Sequence, residues 1–179
     1  MEKTRRRAAA GTILFLGLAP GVVAGLVPWL LTGWRTSDVP AWIHAVGWVA
    51  LAVGVTVLVE AFARFAFEGI GTPAPPAPTE TLVVGGLYRY VRNPMYLAVA
   101  AIILGEAALL GRWALVGYAF VFGLTVWSFV RWYEEPTLRR QFGAAYDDYV
   151  ATVPGWWPRP QRRLRRGGAS RAGSRRPRG

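Results

Sequence analysis

Ten residues, Leu87 to Tyr96, gather two arginines, three tyrosines, an asparagine and a proline just ahead of a charge-poor apolar run that begins at Leu97. Arg89 and Arg92 at the mouth of an apolar helix must face water, lipid phosphates or a polar ligand. Asn93-Pro94 is a helix-start signal, because Asn can cap and Pro suits the first helical position. A helix start carries free N–H groups and the positive end of a dipole, so it suits an anionic group. Further along stands Glu134-Glu135-Pro136, an acidic stretch led into a second helix by proline. Cysteine is absent and His44 is the one histidine. Thiolate chemistry, disulfides and cysteine metal sites are therefore excluded, and a single histidine makes no metal cluster.

The elements that must position these residues are apolar. The 179-residue chain is 53% hydrophobic and 17% charged, with long uncharged runs that suggest membrane spans. We expect an all-α, polytopic membrane helical bundle of about four transmembrane helices, with a cytoplasmic interfacial helix. The spans are placed at about residues 9–34, 39–63, 94–110 and 113–133, within one domain over residues 1–158. Gly17, Gly21 and Gly25 recur every fourth residue, which would give the first span a face for close packing or reflect only the general enrichment of glycine in membrane helices. Pro20 and Pro28 should kink or end that helix locally. Glu60, Arg64 and Glu68 share one helix face, where they can pair as a salt-bridge ladder or border a ligand pocket. Gly69 to Pro78 reads as a loop. Glu106 lies inside an apolar segment, and Arg112, six residues on, does not face it.

Leu138, Phe142, Tyr146, Tyr149 and Val153 recur at steps of three and four. They predict one amphipathic helix over residues 136–153, lying on the membrane surface with Trp156 and Trp157 at its end. The net charge of +11 suggests nucleic acid at first sight, but its placement argues otherwise. Nineteen of the 21 lysines and arginines fall in the Met1–Arg7 head, the 64–92 region and the chain from Arg131 onward; only Arg35 and Arg112 fall on the other side of a four-span chain. The positive-inside rule then puts both termini, and both polar stretches, on the cytoplasmic face. Residues 159–179 form a basic low-complexity tail, expected to be disordered and to bind anionic lipid. It lacks base-stacking aromatics, so nucleic acid is not an expected partner.

The order of motifs resembles the isoprenylcysteine carboxyl methyltransferase and phospholipid methyltransferase superfamily of integral membrane enzymes. Arg92-Asn93-Pro94-Met95-Tyr96 is similar to the family's arginine-X-proline-X-tyrosine element. It is followed in order by Glu134-Glu135-Pro136, Leu138, Phe142-Gly143, Tyr146, Tyr149, Val153-Pro154 and Pro158. Position X usually carries histidine; Asn93 can hydrogen-bond but cannot titrate, so a general-base role does not carry over to it. The resemblance implies S-adenosylmethionine as cofactor, held at the cytoplasmic ends of the last two spans. Arg89, Arg92 or the helix start at Pro94 would take its carboxylate. Glu134 or Glu135 would accept from its ribose. Tyr88, Tyr90 and Tyr96 would offer ring faces to adenine or the sulfonium. Asn93 would add a hydrogen bond. A carboxylate acceptor needs a cation, for which Arg131 is the candidate; an amine acceptor needs a base, for which Glu135 is. The acceptor would be lipophilic: the carboxylate of an isoprenylated cysteine-like compound, or a lipid amine. The expected location is the bacterial inner (plasma) membrane. Two other readings are a membrane reductase using NADPH, since sterol reductases resemble this superfamily in their C-terminal helices, and a non-catalytic lipid-binding membrane protein.

Overall fold

The computed structural model describes residues 18–64, 67–68 and 81–158. The expectations for the basic head, Gly17, the Gly69–Pro78 loop and the basic tail lie outside the described residues. The described residues are mostly helical and contain no strand. Helix α1 is Leu18–Thr32, α2 is Ala41–Arg64, α3 is Pro94–Leu110 and α4 is Trp113–Phe129. Helices α5 (Glu135–Phe142) and α6 (Ala144–Thr152) complete the order. Among the described residues, two helices are long and apolar enough to cross a membrane: α2, and the continuous helix Trp113–Phe142 formed by α4 and α5. The apolar helices α1 and α3 are shorter.

Two prolines set the local geometry. Pro28 and Pro136 have no N–H to give the preceding turn, and in a regular helix their rings would strike the carbonyl four residues back. Each helix widens just ahead of its proline. The Val27 N–H reaches Val22 O across a π turn at Val22–Leu26, and the Glu135 N–H reaches Val130 O across a π turn at Val130–Glu134. The chain therefore passes both prolines without a break. This corrects the expectation that Pro136 opens a separate helix. The single amphipathic helix expected over 136–153 is also divided. Gly143 stands at φ +54 and ψ −130, and the chain turns there between α5 and α6.

The main packing is α2 on α3, with α3 on α4 next. Leu58 and Phe62 of α2 meet Ala98, Val99, Ile102 and Ile103 of α3, and Leu115 and Ala119 of α4 close the core. The close approach comes from glycines that the sequence reading did not single out. A Cβ on Gly105 would stand 2.9 Å from Gly47 O and 2.9 Å from Leu51 N; one on Gly54 would stand 2.9 Å from Ala98 O. Gly21 and Gly25, expected to pack closely, have open space around them. Away from the core, Trp48, Val49, Phe120 and Val121 are exposed, as side chains facing lipid would be.

Two turns share one end of the bundle. Ser37 N donates to Leu110 O at 2.9 Å, and Arg112 Nε donates to Arg35 O at 3.0 Å. At the other end a short 3-10 turn, Gly86–Arg89, leads into Asn93 and α3.

Candidate functional site

The start of α3, the π turn that joins α4 to α5, and α6 bring the two polar stretches together. Arg92 Nη1 donates to Glu135 Oε1 at 3.0 Å and to the Tyr146 hydroxyl at 3.3 Å. The Arg92 and Glu135 side chains are only 14% and 13% exposed, although 43 residues separate them in sequence. Tyr96 donates its hydroxyl to Glu134 Oε2 at 2.9 Å. Consecutive glutamates thus hold different partners, because neighbouring residues on a helix point about 100° apart. Arg131 Nη1 stands 3.6 Å from Glu135 Oε2, but its side chain is 60% exposed and the pair is correspondingly weak.

A two-residue strap closes the back of the cluster. Arg92 N donates to Pro154 O at 2.9 Å and Asn93 N to Gly155 O at 3.2 Å. Asn93 Nδ2 donates to the same Gly155 oxygen at 3.1 Å. Asn93 was expected to cap α3; its side chain makes no cap bond and holds the strap instead. Glycine suits position 155, since a Cβ there would lie 3.3 Å from Arg92 Nη2. Trp156 follows, with its ring 6.3 Å from that of Tyr96.

Tyr149 donates to Tyr88 O at 2.7 Å and locks the 3-10 turn to α6. Burial pushes the Tyr146 and Tyr149 hydroxyls up from the ordinary tyrosine value, and pushes Tyr88 well up with help from the charge of Glu134. All three stay protonated across the neutral range. One donor in the cluster is unspent: Arg92 Nε is buried and has no hydrogen-bond partner.

The structure gathers Arg92, Asn93, Pro94, Tyr96, Glu134 and Glu135, with Arg131 at the rim and buried Tyr88 behind. Arg89 does not join them. It is exposed and lines a separate groove with α2 and Tyr90. Five residues not proposed as site residues take part: Tyr146, Tyr149, Pro154, Gly155 and Trp156. The two tyrosines had been read as part of an apolar stripe and of the family's motif order, with no role in the site. Their hydroxyls were the available signal, because a buried tyrosine normally finds a hydrogen-bond partner.

The phospholipid methyltransferase family profile matches residues 42–145, more than half of the chain. The chain belongs to the phospholipid methyltransferase family, a family of membrane methyltransferases. A search of curated proteins and a search of solved structures each returned no match. The matched segment runs from the start of α2 to the start of α6, so it contains Arg92, Glu134 and Glu135.

Proposed function

We propose that the protein is an integral membrane methyltransferase that uses S-adenosylmethionine and acts on a lipophilic acceptor. The observation that carries this is Arg92, largely buried, bonded to Glu135 and Tyr146, and still holding one buried donor without a partner. A buried donor left unpaired is destabilising by about 1–3 kcal/mol, which a ligand acceptor would relieve. The residues present fit the cofactor. The Arg92 guanidinium is a donor for its carboxylate, Glu134 and Glu135 are acceptors for its ribose hydroxyls, and the Tyr96 and Trp156 rings offer faces to adenine or the sulfonium. When bound, S-adenosylmethionine supplies an electrophilic methyl group on sulfur.

The chain's own task is then to orient and to exclude water. Tyr96 fixes Glu134, and Arg92 with Tyr146 fixes Glu135. A carboxylate acceptor would be met by Arg131 at the rim. An amine acceptor would give its proton to Glu135, which lies between Arg92 and Arg131. We take the acceptor class, an isoprenylated cysteine-like carboxylate or a lipid amine, from the family resemblance. We further propose four crossings by α1 to α4 in a bacterial plasma membrane, both termini cytoplasmic, and a basic tail on anionic lipid.

Calorimetric titration of the detergent-purified protein with S-adenosylmethionine and S-adenosylhomocysteine, beside NADPH, tests the cofactor. Micromolar binding of the first two is expected, at least a hundredfold weaker in Arg92→Ala. Binding of NADPH alone would sink the reading in favour of a reductase, and binding of none would leave the cluster a structural pair.

A further inference from the structure

Glu106 is an acid that the cluster at the start of α3 leaves unused. It stands one turn before the end of α3, about 18 Å along the helix from Pro94 at about 1.5 Å per residue. It is therefore near the opposite end of the bundle from Arg92. Only 7% of the residue is exposed, and its Oε2 is buried with no hydrogen-bond partner. The core on either side of it, Ile102, Ile103, Ala107 and Leu110, is apolar. The nearest cation in sequence, Arg112, turns its Nε to Arg35 O instead. No charged residue stands in α1 or between His44 and Glu60 of α2. An ionised carboxylate so placed is strongly unfavourable unless a positive charge comes with it.

Tyr118 is the one titratable group on α4, and it lies within electrostatic reach of Glu106. Its hydroxyl is already committed. The π turn of α1 packs against α3, and there the Val27 N–H passes over Val23 to reach Val22 O. Pro28 has no N–H to give, so Val23 O is left without a partner in its own helix. Tyr118 supplies one, donating to Val23 O at 2.8 Å. A tyrosine has a single O–H, so toward Glu106 it can present lone pairs alone. The place thus holds a carboxylate, a phenol oxygen and a backbone carbonyl, with no hydrogen among them left for the carboxylate.

We propose that Glu106, with Tyr118 and the π turn of α1, is a binding site for a small monovalent cation, a proton or a sodium ion, inside the helical bundle. Oxygen donors from a carboxylate and an opened helix turn suit both ions. A divalent ion would bring a second positive charge to a site with one carboxylate. An anion would meet acceptors alone. The site lies outside the residues assigned to the cofactor, so it would load even if the protein bound no S-adenosylmethionine.

The test is labelling of the full chain in phosphatidylcholine liposomes with dicyclohexylcarbodiimide, a lipid-soluble reagent for protonated carboxyls, read by peptide mass spectrometry. The carboxyl oxygen bonds to the central carbon of the reagent and the carboxyl proton moves to one nitrogen. The acyl group then shifts from that oxygen to a nitrogen, leaving a stable N-acylurea with nothing lost. In choline chloride at neutral pH, Glu106 is expected to label at least tenfold faster than exposed Asp147, and the rate should fall between about pH 6 and about pH 10. Replacing choline by sodium separates the two occupants. A rate slowed at least threefold assigns the site to sodium, and an unchanged rate assigns it to the proton. Glu106→Gln should lose the label and bind S-adenosylmethionine as the parent does. Labelling of Glu106 no faster than that of Asp147 would overturn the proposal. So would a rate indifferent to both pH and sodium, which marks a permanently neutral acid. Absence of S-adenosylmethionine binding in the parent protein would touch the methyltransferase reading alone.

Discussion

At the scale of single residues, Tyr96 bonds one glutamate directly whereas Tyr146 bonds the arginine that holds the other, and this ranks the two tyrosines. Tyr96 reaches Glu134 at 2.9 Å, whereas Tyr146 reaches Arg92 at 3.3 Å, near the limit for a hydrogen bond. Removing the first hydroxyl leaves a carboxylate without its donor, which costs about 1–3 kcal/mol. Removing the second leaves Arg92 its shorter bond to Glu135. Tyr96→Phe should therefore weaken S-adenosylmethionine binding about tenfold, equivalent to about 1.4 kcal/mol. Tyr146→Phe should weaken it by less than about threefold, equivalent to under about 0.7 kcal/mol. Calorimetry on both variants checks the ranking; equal losses would mean that Glu134 does not contact the cofactor. The motif residues themselves were legible in the sequence because their side-chain chemistry is specific. The role of Asn93 was not: capping is what an asparagine before a proline does locally, and the competing partner, Gly155 O, is 62 residues away.

At the scale of elements, hydropathy fixed helix positions well and helix relations poorly. The helix expected at 94–110 coincides with α3, and the one expected at 39–63 lies within a residue or two of either end of α2. Both are runs of apolar sequence bounded by charge or proline, which period and composition can read. The π turns were hidden, since proline announces that the regular ladder must fail but not whether the helix stops or widens. Of the two readings of the glycine spacing, Gly21 and Gly25 fit general enrichment, since small residues pack only where a partner helix arrives, and α3 arrives at Gly47 and Gly54. This difference can be measured. Gly105→Leu would drive a side chain into Gly47 O and Leu51 N, both backbone atoms that cannot yield. It should lower the apparent Tm in detergent by several degrees, in line with the roughly 1–3 kcal/mol of overpacking. Gly21→Leu, into open space, should leave Tm within about a degree, because a surface change away from special features is worth less than about 0.5 kcal/mol. A thermal scan that found Gly21→Leu as damaging as Gly105→Leu would show that α1 packs differently from this arrangement.

At the scale of the whole molecule, the two turns that carry Arg35 and Arg112 mark one end of the bundle. Arg35 and Arg112 are the two basic residues that the span count puts apart from the other nineteen. In the structure Arg112 bonds the carbonyl of Arg35, and Ser37 bonds Leu110, so the two turns that carry them meet at one end of the bundle. The Arg92–Glu135 cluster lies at the other end of α3, which has 17 residues and is about 25 Å long. That is a little less than the apolar thickness of about 30 Å that a bilayer presents. Its polar N-terminus would thus sit just inside the headgroup level, where a lipophilic acceptor and a water-soluble cofactor can meet. The chain has no cysteine, so single introduced thiols report orientation without background. Asp38→Cys, in the exposed turn before α2, should react with an impermeant maleimide added to intact cells. Ala145→Cys, exposed on α6 beside the cluster, should react only after the membrane is opened. The reverse pattern would put the site on the outer face, where no S-adenosylmethionine is supplied, and would overturn the orientation and the proposed cofactor together. Labelling of both thiols in intact cells would instead show that α2 and α3 do not cross as a pair.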